Sequence, residues 1–506
     1  MEVEQITSSE RLLHVTSSIC KVCKNGIAAQ VVALSNGEVW MRKICSRHGP
    51  QQVMLSNNAT WYEDTRNNYK AVKNPPADAT KPVEHGCPFD CGPCTSHEQK
   101  IKLPVVTINS ACNLDCPICY VHNKNEDAYN MSDDDFKKIL KHLQETHGAE
   151  LDILNLTGGE PTMHPRFLEF LQMARDAGSH RVTICTNGIM FAKDESVVKR
   201  IAEIGARVAL SFDSFEAKAD YEMQGAKLVK IKEKCLDNLE KYGVNTTLIP
   251  VMTKGVNDHE IGRIIELALK RTNIRHLEIH TITYTGQGGK SFKREGRTSM
   301  YEVLQQIEKT TNGLLNANDF VPSPCAHPLC YQITYLLVDP DGGPPVPFPR
   351  FMPKRELYDA LHERLYLEPS PALEASLRSA IDRLWAEQTD DSERILKMLK
   401  SLLTAMFPTD RQLTRQEQLR AGEMGVKAIY IHSHMDEETF DTERASQCCD
   451  SNNYPDGSSI PVCNYNVLYR EKEPRFMTKP VVWNERSGGQ KFFPIPQPEH
   501  HRKDRQ

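Results

Sequence analysis

The apolar positions of this chain change period near residue 103. Before that point short runs with strand character prevail: Ala28 to Leu34 and Glu38 to Ile44 flank Ser35-Asn36-Gly37, which predicts a β-hairpin. Residues 73–82, with Pro75, Pro76 and Pro82 among polar neighbours, read as a linker. From Leu103 apolar strands alternate with amphipathic helices. Leu103 to Ile108 is the first strand; Ser132 can cap a helix whose Phe136, Ile139, Leu140 and Leu143 share one face, Gly148 stops it, and Leu151 to Leu156 is the next strand. Phe167, Phe170, Leu171 and Ala174 mark a second helix, and Val182 to Cys185, Val208 to Phe212, Thr246 to Val251 and His276 to His280 complete six strands with helical crossovers. Such units predict an α/β fold with a parallel sheet, closed economically as a partial (β/α)6 barrel.

After Gly286-Gln287-Gly288-Gly289 the alternation fades. The following stretch is expected to be mostly helical, with Ile395, Leu396, Leu399, Leu402, Leu403 and Met406 forming a stripe at helical spacing, read as core packing in preference to a lipid or partner surface. Five segments result: 1–75, a small metal knuckle; 76–102, a cysteine segment; 103–290, the barrel; 291–430, mostly helical; and 431–506, a mixed, loop-rich cysteine segment ending in the polar tail His500 to Gln506.

Composition narrows the function. Lys and Arg number 62 against 67 Asp and Glu, and the net charge of −5 gives no footprint for a nucleic-acid partner. No run reaches the roughly 20 apolar residues of a membrane span, and Met1 to Gln5 lack the features of a secretory signal, so a cytosolic location is expected. In a reducing compartment 16 cysteines at short spacings read as metal ligands.

Cys112, Cys116 and Cys119 can hold three irons of a cubane and leave one open to a cofactor or substrate, although the spacing alone would also suit a zinc loop. Position favours the cluster. The loop follows the first barrel strand, Gly158-Gly159-Glu160-Pro161 follows the second, and Thr186-Asn187-Gly188 and Ser211-Phe212-Asp213 end the next two, so all four border one barrel mouth. The plainer alternatives are a helix N-terminal acid for Glu160 and an ordinary turn for Asn187-Gly188.

Through Cys112, Cys116, Cys119, Tyr120 and Gly158 to Pro161, the chain resembles the radical S-adenosylmethionine superfamily. That resemblance implies a [4Fe-4S] cluster on the three cysteines, S-adenosylmethionine on the open iron, and its reductive cleavage to a 5′-deoxyadenosyl radical. It also implies contacts to the methionine ammonium from Gly158, Gly159 and Glu160, an adenine neighbour in Tyr120, and further cofactor contacts from Asn187, Ser211 and Asp213.

Cys87, Cys91 and Cys94 repeat the spacing without a preceding strand and suggest an auxiliary [4Fe-4S] cluster. Cys20, Cys23, Cys45 and His48 offer a closed tetrahedral set for one zinc or rubredoxin-like iron, read as structural. Cys185 and Cys235 read as core thiols. Of the remaining five cysteines, one could complete the auxiliary cluster, while Cys325, Cys330, Cys449 and Cys463 could bind another. The adjacent Cys448 and Cys449 could instead capture a thiophilic arsenic species.

The cysteine segments together are similar to the tetraether lipid synthase and dihydropterin methylase branch. This implies carbon–carbon bond formation at an unactivated C–H position, with lipid acyl-chain coupling as the first expectation and methylation of a pterin-like small molecule, or alkyl transfer to an arsenic species, as alternatives. A flavodoxin- or ferredoxin-like electron donor is expected, and peripheral membrane contact would accompany a lipid substrate. The rival from another class is an iron–sulfur electron carrier, opposed by the three-cysteine loop and the Gly158 to Glu160 motif. Peptide- and tRNA-modifying relatives rank lower, since the sequence offers no recognisable leader-binding domain and no basic stripe.

Overall fold

The computed structural model describes residues 10–121, 128–147, 152–362, 364–387, 389–470 and 473. Gly148, Leu151 and the tail from His500 lie outside these residues.

The first segment is an antiparallel sheet in the order β1 (Glu10–Ile19), β2 (Gly26–Leu34), β3 (Val39–Cys45) and β4 (Gly49–Ser56), followed by helix α1 (Ala59–Asn68). The expected hairpin joins β2 to β3, and Gly37 supplies the positive φ of +85° that its turn needs. Buried Lys43 ties this sheet to the rest of the chain by donating to the carbonyls of Glu437, at 2.9 Å, and Glu438, at 2.8 Å. Residues 73–82 lie mostly outside regular structure, with isolated bridges from Asn74 to Gln99 and from Lys81 to Cys94.

From residue 103 strands and helices alternate: β5 (Leu103–Thr107), α2 (Asp133–His147), β6 (Ile153–Thr157), α3 (Phe167–Asp176), β7 (Arg181–Thr186), α4 (Ile189–Lys193), α5 (Glu195–Ile204) and β8 (Arg207–Ser211). They continue through α6 (Ala217–Gln224), α7 (Val229–Lys241), β9 (Thr246–Ile249), the short β10 (Val251–Met252), α8 (Ile261–Lys270) and β11 (Ile274–Thr281). Ser132 caps α2 by accepting from the Asp135 amide at 3.1 Å, and Phe136, Ile139, Leu140 and Leu143 are buried. β5, β6, β7, β8, β9 and β11 are neighbours in that order and all parallel, the expected arrangement.

The sheet is wider than periodicity suggested. The remaining strands are β12 (Val321–Pro322), β13 (Tyr331–Leu337), β14 (Val346–Pro347), β15 (Val426–His432), β16 (Asp450–Asn453) and β17 (Ser459–Pro461). β15 adds in parallel beside β11 and β16 in parallel beside β5, so the C-terminal part of the chain extends both edges. β13 then adds antiparallel to β15, and β17 antiparallel to β16, making the sheet mixed. Among the described residues no ladder closes the barrel; side chains span the gap instead, with Tyr331 donating to Asp450 Oδ2 at 2.5 Å.

The stretch expected to be mostly helical thus includes four strands. Tyr331–Leu337 and Val426–His432 are fully buried on both faces and carry no alternation, so periodicity cannot separate them from buried helix. The stripe from Ile395 to Met406 packs in the core, as expected. Beneath the barrel Arg181, 1% exposed, binds Asp152, Glu368 and Glu423, the last two donated by the helical stretch. No helix among the described residues is long and apolar enough to cross a membrane.

Candidate active site

The C-terminal ends of the parallel strands surround a cavity of about 270 Å³. All ten residues singled out on the barrel rim line it: Cys112, Cys116, Cys119, Tyr120, Gly158, Gly159, Glu160, Asn187, Ser211 and Asp213. The cysteine loop is seated by backbone pairing with the glycine loop. The Gly159 amide donates to the Asn109 carbonyl at 3.1 Å, the Glu160 amide to the Ala111 carbonyl at 2.7 Å, and the Asn109 side chain to the Glu160 carbonyl at 2.9 Å. This approach excludes side chains at both glycines: a Cβ on Gly158 would stand 2.0 Å from Asn109 Oδ1, and one on Gly159 2.2 Å from the Ala111 oxygen. On the far side of the cysteine loop, Gly286 packs against the Tyr120 carbonyl and the Gly288 amide donates to Cys119 O at 2.9 Å.

Glu160 is 2% exposed and surrounded by donors. Its Oε1 accepts from the Thr162 amide at 3.1 Å, Thr162 Oγ1 at 2.7 Å and Thr186 Oγ1 at 2.8 Å, and its Oε2 from the Asn187 amide at 2.8 Å. It therefore caps the turn at Pro161 and also lines the cavity. Burial raises its pKa against the pull of these donors. Asn187 likewise serves the turn, accepting from the Ile189 amide at 3.1 Å, while its amide reaches Asn113 in the cysteine loop at 2.7 Å. Asp213 accepts from Gln224 and from the Val251 amide at 2.8 Å, with Lys232 3.9 Å away.

The three loop thiols fit an iron–sulfur cluster. Burial pushes Cys112 up to about 12 and Cys116 above its ordinary value, and Lys232, whose charge favours the Cys116 thiolate, is shared with Asp213 and Asp220. Stable thiolates here call for a cationic, thiophilic centre.

Residues 106–268 match the Radical SAM superfamily. The chain carries a radical SAM domain. Residues 12–57 match the HMPTM N-terminal zinc ribbon domain. The chain is 27% identical over 502 residues, covering 92% of itself and 96% of the relative, to the 7,8-dihydro-6-hydroxymethylpterin dimethyltransferase of Methanocaldococcus jannaschii. It is 26% identical to the GTP 3′,8-cyclase of Clostridium perfringens over 40% of this chain and 62% of that one. Among solved structures, Streptococcus suis SuiB bound to S-adenosylmethionine aligns with a TM-score of 0.34 and 17% identity over 43% of this chain and 50% of that one. The protein is a radical SAM enzyme, and the superfamily implies a [4Fe-4S] cluster and S-adenosylmethionine.

Facing the radical SAM loop across the cavity are residues that motif reading missed: Glu278 and His280 of β11, His432 and His434 at the end of β15, Asp450 of β16, and Arg470. Glu278 accepts from His280 Nε2 at 3.0 Å and from His432 Nδ1 at 3.2 Å. Burial opposes its charge, but these hydrogen bonds prevail and hold its carboxyl well below the usual carboxylate range. Burial depresses His432 and His434. The Arg470 guanidinium lies 5.3 Å from the centre of the Tyr120 ring. The i, i+2 pairs 278/280 and 432/434 were the available signal, but nothing local in sequence shows that they meet.

In the zinc ribbon the expected ligands converge. Cys20 Sγ and Cys45 Sγ each lie 3.5 Å from His48 Nδ1, and Cys23 Sγ lies 3.8 Å from Cys45 Sγ. Cys87, Cys91 and Cys94 line a small separate cavity, where Asn464 donates to Cys91 Sγ at 3.1 Å, and Cys87 and Cys91 pack against the apolar cluster that includes Cys463. Of the expected set Cys325, Cys330, Cys449 and Cys463, the first three share one apolar core and Cys463 lies in another. Cys325 and Cys449 pair, with sulfurs 3.6 Å apart, inside an apolar core, whereas Cys330, Cys448 and Cys463 are electrostatic neighbours, with Arg444 Nε 3.4 Å from Cys330 Sγ. The chain reaches these positions from different strands, so sequence spacing could not allocate them.

Proposed function

We propose that this radical SAM enzyme methylates carbon on a reduced pterin or a similar small heterocycle. The cavity carries this conclusion: beside the cysteine loop and its Tyr120 it offers stacking and hydrogen-bonding groups in His280, His432, His434 and Arg470. A chamber of about 60 Å³ adjoins it, sharing Leu103, Asn155, Cys185, Ala209, Ile249 and Glu278, and ends among Tyr331, Tyr366 and Tyr430. An acyl chain calls for a long apolar channel, so lipid coupling is less well supported. The likeness to a pterin dimethyltransferase along 92% of the chain favours the same choice.

In this account Cys112, Cys116 and Cys119 would hold the [4Fe-4S] cluster, with Gly158, Gly159, Glu160, Asn187, Ser211, Asp213 and Tyr120 toward S-adenosylmethionine. When bound, these cofactors supply one-electron cleavage of the sulfonium and hence a carbon radical able to take hydrogen from a C–H bond. The chain's own residues orient and enclose. Glu160 and Asn187 lock the rim loops together, Asp213 holds Gln224 beside Cys116, and Tyr120 with Arg470 gives a planar ligand a stacking surface. Cys87, Cys91 and Cys94 would carry an auxiliary cluster, and a flavodoxin- or ferredoxin-like protein would deliver electrons.

Anaerobic titration of the reconstituted protein, loaded with S-adenosylmethionine, tests the substrate class. Saturable binding of 7,8-dihydro-6-hydroxymethylpterin, weakened at least tenfold by Arg470→Ala, is expected. Binding to phospholipid vesicles without any pterin binding would overturn the assignment.

A further inference from the structure

Two carboxylates stand at the cavity wall without a lysine or arginine partner among the described residues: Asp450 is buried and Glu278 half-buried. Glu278 and Asp450 are paired, among the described residues, with histidines alone. His432 stands between them. Its Nδ1 meets Glu278 Oε1 at 3.2 Å, where the carboxylate accepts, and its Nε2 lies 3.7 Å from Asp450 Oδ2. That oxygen is already accepting from Tyr331. His432 thus bridges two carboxylates, and an ion bound at its Nε2 would lie beside Asp450 as well.

The neighbours supply the rest of a coordination shell. His280, His432 and His434 each offer a ring nitrogen, all within 4.8 Å of one another. Donors on a tetrahedral ion with bonds of 2.0–2.1 Å stand about 3.4 Å apart, so separations of up to 4.8 Å would have to shorten by at most about 1.4 Å to close the group. Glu278, accepting from both His280 and His432, occupies the outer position that fixes the tautomer of metal-bound imidazoles. Cys463 Sγ flanks the group, 3.8 Å from His434 Nδ1.

We infer that His280, His432 and His434, with Asp450 beside them, bind one divalent transition-metal ion of the zinc or ferrous class, distinct from the zinc-ribbon site and from the radical SAM loop. Imidazole and carboxylate donors select such ions. The site borders the cavity, so a remaining coordination position would take a ring nitrogen or carbonyl oxygen of the substrate; this use rests on the small-heterocycle assignment, whereas the metal site does not.

The test uses the full chain with its clusters reconstituted, equilibrated with zinc and freed of excess. Wild type should retain two zinc ions per chain. Cys23→Ser and His280→Asn should each retain one, with iron and sulfide unchanged, and Glu278→Gln should weaken the His280-dependent ion about 10–100-fold. A wild-type chain whose only zinc is lost with Cys23→Ser would overturn the site, and so would His280→Asn protein that keeps both ions. Should His280→Asn not fold, X-ray absorption of cobalt-loaded Cys23→Ser protein decides: a shell dominated by nitrogen and oxygen supports the site, and an all-sulfur shell overturns it. Pterin affinity that falls at least tenfold without this ion supports substrate coordination. Loss of the ion with pterin affinity unchanged overturns that use while leaving the metal site standing.

Discussion

Replacing Gly159 by alanine probes how the glycine loop seats the cysteine loop. The new Cβ would stand 2.2 Å from the Ala111 oxygen, 2.5 Å from its carbonyl carbon and 2.8 Å from the Ser110 oxygen. All three are backbone atoms leading directly into Cys112, so no side-chain rotation relieves the contact. The segment must retreat by about 0.8 Å merely to reach 3.0 Å, the floor of real Cβ contacts. That retreat strains the bonds from Gly159 N to Asn109 O and from Glu160 N to Ala111 O. Overpacking of this kind costs about 1–3 kcal/mol, and misplacing reacting groups by about 1 Å costs on the order of 10²-fold in rate. In Gly159→Ala, formation of 5′-deoxyadenosine from S-adenosylmethionine should therefore fall about 100-fold, with a changed electron paramagnetic resonance spectrum of the reduced cluster. Gly296→Ala, whose Cβ would meet nothing nearer than 3.7 Å, is the control and should alter neither. A Gly159→Ala protein with wild-type spectrum, cofactor affinity and turnover would refute the seating role.

Glu160→Gln must turn an amide N–H₂ toward one of the donors that now serve the carboxylate, so its denaturation midpoint should drop by the equivalent of about 1.5–3 kcal/mol with unchanged slope; an unchanged midpoint contradicts the donor cage. Cys23→Ser should lose the ribbon ion and lower the melting temperature while iron and sulfide per chain stay constant; iron loss in parallel would show that the ribbon is not an independent site. Serine at Cys330, Cys448 and Cys463 together should lower iron and sulfide after reconstitution, whereas serine at Cys325 and Cys449 should not, as measured by elemental analysis. Loss of iron and sulfide with both sets of replacements would restore the grouping expected from the sequence.

The parallel core was legible because each of its helices buries one apolar stripe, as Phe136, Ile139, Leu140 and Leu143 do, and its strands are separated by recognisable crossovers. The cysteine and glycine loops were legible because their chemistry is written in contiguous residues. What lay beyond sequence was convergence over distance. His280 and His432 approach through strands pairing across about 150 positions, and Asp450 joins them because β16 adds to the opposite edge beside β5. Tyr331–Leu337 and Val426–His432 concealed themselves for a different reason: strands buried on both faces have no period.

The most direct measurement of the central claim is mass spectrometry of an anaerobic reaction containing the reconstituted chain, dithionite, S-adenosylmethionine and 7,8-dihydro-6-hydroxymethylpterin. Carbon-methylated pterin is expected, together with 5′-deoxyadenosine, and both should vanish in Cys116→Ala. Cleavage of S-adenosylmethionine without any methylated pterin would contradict the proposed substrate, and no cleavage at all with every cluster intact would contradict the assigned role of the three-cysteine loop.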